Sequence, residues 1–173
     1  MPTERPGLLR RAAANLKRAL PRPRVAAAGA IIWALVTAAG AVLDVWHHGW
    51  QTPEKFAQIG ILYALGGIFG FPLGLYLARF VALGRSPEVA FAAMFLGLAG
   101  ATIGMTFAFY ALEYRQYYAT WHANFPSITW VFQFVFTTAS SLIQFIVLGL
   151  PLFFPVGFAG LFAASLWFAR QPR

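Results

Sequence analysis

Apolar residues run uninterrupted by charge over 25–43, 56–78, 89–112 and 128–169. The first three runs are close to the ~20 residues that carry an α-helix across ~30 Å of hydrocarbon. Strict apolar/polar alternation is missing from them, which argues against barrel strands, and in hydrocarbon a helix is the other way to satisfy every backbone N–H and C=O. They predict transmembrane helices near 25–43, 56–78 and 89–112. The last run is long enough for two spans, for one long bent helix, or for one span plus a helix at the interface. Thr129, Gln133, Thr137, Ser140 and Gln144 recur at intervals of four, four, three and four residues, which aligns them on one helical face. That stripe predicts a helix over 127–147 that lies at the outer interface or re-enters the membrane. Pro126 opens it; Gly149, Pro151 and Pro155 bend the chain before a last span near 148–169. The predicted fold is therefore an all-α integral membrane protein, a bundle of four transmembrane helices plus an amphipathic interfacial or re-entrant helix. The alternative is five transmembrane helices, with the stripe hydrogen-bonded inside the bundle.

Charge orients this scheme. Of the 13 Lys and Arg residues, seven precede the first apolar run: Arg5, Arg10, Arg11, Lys17, Arg18, Arg22 and Arg24. With an even number of spans, these join Arg79, Arg85, Arg170 and Arg173 on one side, eleven in all, and leave only Lys55 and Arg115 on the other. The positive-inside rule makes the eleven-residue side cytoplasmic, so both termini are expected there, in a bacterial inner membrane. Five spans would weaken the asymmetry to nine against four. Within the basic segment 1–24, a helix over 8–20 would place Leu8, Leu9, Ala12, Leu16 and Leu20 opposite Arg10, Arg11, Lys17 and Arg18, suited to the anionic inner leaflet. A disordered topology signal accounts for the same residues. The first apolar run exceeds the ~7–15 residues of a signal-peptide core, which argues against cleavage. The composition, 60% hydrophobic and 10% charged, agrees with lipid as the solvent, and the net charge of +8 is placed for headgroups and not for nucleic acid.

Glycines recur inside the spans at four-residue spacing: Gly66, Gly70 and Gly74 on the second, Gly100 and Gly104 on the third, and Gly160, followed by Ala164, on the last. Such repeats let backbones approach where lipid gives helices no hydrophobic reason to associate, so these glycines are expected to pack within one subunit or between copies. Chemistry is sparse. Asp44, Arg79, Glu113 and Arg170 fall at span ends and not in mid-membrane, which disfavours an ion-coupled pump. Cysteine is absent. The remaining candidates for a metal site are Asp44, His47, His48, Glu113 and His122 on the outer side. Consecutive His47 and His48 diverge on a regular helix, and no ligand-spacing motif accompanies them, so neither a metal nor a cofactor is predicted.

The second span ends on Leu77-Ala78-Arg79, a Gly84-Arg85-Ser86 turn follows, and the third carries Ala92-Ala93 and Gly97-Leu98-Ala99-Gly100. The chain closes on Trp167-Phe168-Ala169-Arg170. Over about 30–173 this layout resembles the small TrgA membrane proteins associated with tellurium resistance in alphaproteobacteria. The resemblance implies an accessory or stress-tolerance protein and carries over no catalytic residue. The functional expectation is a non-enzymatic accessory subunit or resistance-type factor, acting through lipid contacts and through self-association or membership of a larger membrane complex. The alternatives are a small oligomeric channel or transporter, and a metal- or haem-handling redox protein.

Overall fold

A computed structural model describes residues 8–49 and 52–171, without the side chains of 8–13. All regular elements among them are helical: α1 (Leu8–Ala19), α2 (Pro23–His48), α3 (Pro53–Ala82), α4 (Pro87–Tyr118), α5 (Ile128–Gln144) and α6 (Val156–Ala169). Proline opens α2, α3 and α4 at the first helical turn, where its missing N–H has no partner to lose. Ser127 caps α5 by accepting the Trp130 N–H at 3.1 Å. The α2 and α3–α4 turns close at Gly49 and Gly84, whose φ of 63° and 65° lie in the left-handed region that favours glycine.

Among the described residues, four helical stretches are long and apolar enough to cross a membrane: Pro23–His48, Pro53–Ala82, Pro87–Trp121 and Ile128–Phe153. The shorter apolar helix α6 follows. This revises the predicted last span at 148–169. Residues 145–153 continue α5 through a π turn (Phe145–Gly149) and a 3-10 turn (Leu150–Phe153), and α6 begins only at Val156. Its 14 residues cover about 21 Å, too little to cross alone. Gly149 and Pro151 break the helical ladder at the expected place, but the regular helix resumes eight residues later than predicted.

Helices α2, α3 and α4 pack antiparallel in sequence order, and α6 runs antiparallel to both α2 and α4. The register follows from side-chain contacts. A Cβ at Gly60 would meet Val42, one at Gly67 would meet Ala34 and Thr37, and Phe158 and Phe162 of α6 meet Phe95 and Phe91 of α4. The main apolar core joins Trp33, Phe71, Leu75, Met94, Leu98, Leu161 and Phe168. A smaller core joins Ala41, Val45, Tyr63 and Leu152. The antiparallel order gathers Arg22, Arg24, Arg79, Arg85 and Arg170 at one end of the bundle. Asp44, His47, His48, Glu54, Lys55, Glu113 and Arg115 lie at the other. Helix α1 packs against α3 with Ala19 fully buried, while Leu16 and Leu20 are exposed beside Lys17 and Arg18. The predicted headgroup residues Arg10 and Arg11 lie among the side chains outside the described set.

Candidate functional site

The centre of the bundle is polar in places where the apolar runs gave little warning. Trp33 donates its indole N–H to Thr102 Oγ1 at 2.8 Å and so ties α2 to α4. Thr37 donates to the Tyr63 carbonyl at 2.9 Å and ties α2 to α3. The Tyr63 hydroxyl donates to the carbonyl of Gly149, the residue at which the π turn passes into the 3-10 turn, and so ties α3 to that junction. Tyr63 is 2% exposed and Thr37 1%, so these bonds are made out of contact with solvent. An unpaired polar group is expensive there, and each bond fixes one helix against another. Thr106 and Ser165 instead donate to carbonyls four residues back on their own helices, at 2.8 Å each.

The glycine seams lie between these bonds. A Cβ at Gly66 would overlap the Thr106 side chain, one at Gly70 would sit 2.7 Å from Thr102 Cα, and one at Gly74 would sit 2.6 Å from Leu98 Cα. The α3 backbone therefore rests on α4 over two full turns. Gly160 meets α2 likewise, with a Cβ 2.8 Å from Val36. Gly100 and Gly104 do not take the first of the two expected roles, packing within the subunit, because a Cβ at either meets nothing within 4 Å among the described residues. They lie on the face of α4 turned away from α3, and no close contact within this subunit uses them.

At the opposite end from the arginine cluster, the polar stripe of α5 divides. Gln133 accepts the Ala123 N–H at 2.7 Å, Thr137 Oγ1 lies 3.2 Å from His122 Nε2, and Gln144 joins Tyr110 at 2.9 Å and Tyr114 at 3.3 Å. These three zip α5 onto α4 and the segment after it. Thr129, Ser140 and Gln144 are exposed and Gln133 and Thr137 half-buried, with Thr129, Gln133 and Thr137 lining one open cup. The face turned inward runs instead through Gln133, Thr137, Ser141 and Phe145, with Ser141 fully buried. The helix rotates about one residue from the predicted stripe because Phe145 must enter the core beside Phe107 and Tyr110. Arg115 adds a second tether, its guanidinium 4.2 Å from the Phe134 ring centre and 5.9 Å from that of Trp130. Its Nε has no hydrogen-bond partner among the described residues. An open cup of about 600 Å³ lies over this junction, walled by Tyr118, Trp121, His122, Phe132 and Thr137 among others.

The metal candidates are scattered. His48 Nδ1 lies 2.8 Å from the Asp44 carbonyl and 3.5 Å from its carboxylate, and the His47 ring stands at 87° to that of His48. His122 faces Thr137, and Glu113 is exposed. Among the described residues, no three His, Asp or Glu side chains converge on a point where an ion could sit. The contacts that Trp33, Thr37, Tyr63 and Thr102 make bind helix to helix. These four were not singled out by spacing. The available signal was four-residue phasing, since Thr102 and Thr106 repeat at the same interval as the glycines they face. No family model matches the chain, and no curated protein and no solved structure matches it either, so the resemblance to the TrgA proteins stands on the sequence alone.

Proposed function

We propose that the chain is a non-enzymatic inner-membrane protein, an accessory subunit or resistance-type factor that acts through helix packing and contacts with lipid or protein. One observation carries this reading, the contrast between a cross-braced bundle and a loosely attached α5. In the bundle, side-chain hydroxyls and an indole join helix to helix. On α5, Phe132, Phe136 and Ile143 stand 58%, 69% and 64% exposed, and the attachment is to α4 along one narrow face. A rigid anchor with an apolar arm suits a subunit that docks laterally against a neighbour in the membrane. The stress-tolerance role implied by the TrgA resemblance fits within the same reading.

Photocrosslinking in cells that carry the protein naturally tests it. Benzoylphenylalanine at Phe136 or Ile143 should yield protein adducts, and the same probe at Leu96, an exposed residue of α4, should yield none. Adduct mass then separates a second copy from a different protein. Absence of protein adducts along α5 would overturn the proposal.

The orientation belongs to the same proposal. The arginine-rich end faces the cytoplasm by the positive-inside rule, and α5 lies along the opposite interface, with the turns over 145–153 and α6 completing the final crossing. Alkaline phosphatase fused after Arg173 should be inactive, and a fluorescent protein there should be bright; the reverse pattern would contradict it.

A further inference from the structure

The flank of the bundle between α2 and α6 carries an apolar crevice of about 570 Å³. It exists because small residues stand where larger ones would close it. Ala28 and Gly29 on α2 leave the wall thin, and Phe71 packs so closely on Gly29 that a Cβ there would overlap its ring. Trp33 and Val36 close the deep end, and Trp167 and Arg24 flank the other. From Arg24 to Val36 the crevice follows α2 for twelve residues, about 18 Å of helix. One leaflet of a bilayer has about 15 Å of hydrocarbon, half of the ~30 Å core.

The charge at the two ends is unequal. Arg24 is exposed and forms no ion pair with a described residue, Arg22 is exposed two positions earlier, and Arg170 lies one turn beyond Trp167. The deep end is wholly apolar. An occupant must therefore be a single-leaflet amphiphile with an anionic head beside Arg24 and a hydrocarbon tail reaching Val36. We propose that this crevice is a binding site for one acyl chain of an anionic phospholipid, with its phosphate held at Arg24. The proposal rests only on the bundle lying in a membrane and is independent of any partner of α5. It also distinguishes one held lipid from the surrounding bilayer, because Arg24 supplies a headgroup preference that a bare apolar surface does not have.

The full chain in nanodiscs of equal parts phosphatidylglycerol and phosphatidylcholine, released for native mass spectrometry, provides the test. The expected result is one retained phosphatidylglycerol per chain. Arg24→Gln should reduce retention about fivefold, the effect of one basic residue at an anionic surface, and Arg24→Lys should restore most of it. Ala28→Trp fills the crevice from an exposed position and should abolish retention while the melting temperature stays near that of the parent. Equal retention of phosphatidylcholine, or unchanged phosphatidylglycerol in both Arg24→Gln and Ala28→Trp, would overturn the proposal. If Ala28→Trp fails to fold, the Arg24 pair decides alone.

Discussion

Helices α3 and α4 meet by removing side chains, and α5 meets α4 by extending them. In the first case Gly66, Gly70 and Gly74 bring two backbones into contact, and the fit is set by shape. In the second, Gln133, Thr137, Gln144 and Arg115 reach between chain segments to one or two polar or aromatic partners each. In the most apolar stretch of α3, 44% of the residues are buried, against only 11% in that of Ile128–Phe153, which contains α5. Without a hydrophobic drive between helices in lipid, close packing supplies continuous dispersion contact, whereas isolated side-chain hydrogen bonds supply modest increments each. Backbone contact therefore makes the closely packed part of the bundle, and reaching side chains make the less buried attachment of α5.

The largest effect is expected at the seam. Gly70→Leu puts a branched side chain where even a Cβ lies 2.7 Å from Thr102 Cα. The helices must separate, at a cost of about 3 kcal/mol or more, and the protein should melt far below the parent in detergent. Parental melting would show that the seam is not close-packed. Next is Tyr63→Phe, which leaves the Gly149 carbonyl without its buried donor and should cost about 1–3 kcal/mol by the same assay. Arg115→Gln removes the cation from the Phe134 and Trp130 rings, a contact worth about 0.5–2 kcal/mol. It should speed hydrogen exchange over 128–144 and leave 66–74 unchanged; faster exchange in both would join the two regions into one unit. Smallest is Gly104→Leu. It should move the melting temperature little, within about 0.5 kcal/mol, because a Cβ there meets no neighbouring segment within 4 Å among the described residues. A large loss there would place Gly104 in a contact between copies.

Much of the helical architecture was legible because lipid imposes a simple rule. Uncharged runs of about 20 residues become helices, and prolines mark where α2, α3 and α4 begin. The Gly66–Gly70–Gly74 repeat was legible for the same reason, its spacing matching the helical turn. Gly100 and Gly104 show the limit of that signal. A small-residue repeat marks a face capable of close approach, but which neighbour takes the face depends on how the bundle closes. The stripe on α5 marked its inward face only approximately for a related reason. Spacing fixed a face to within one residue, and the insertion of Phe145 among Phe107 and Tyr110 set the rotation. Trp33–Thr102 and Thr37–Tyr63 were hidden because each pairs residues on different helices, and one apolar run does not reveal which residue of another lies at its depth.

Amide hydrogen exchange of the full chain in nanodiscs tests the division between anchor and arm most directly. If α5 lies at the interface and detaches, amides over 128–144 exchange orders of magnitude faster than those over 66–74, because water reaches them and little packing must be broken. If 128–144 is as protected as 66–74, α5 is embedded with the other helices, and the arm is contradicted.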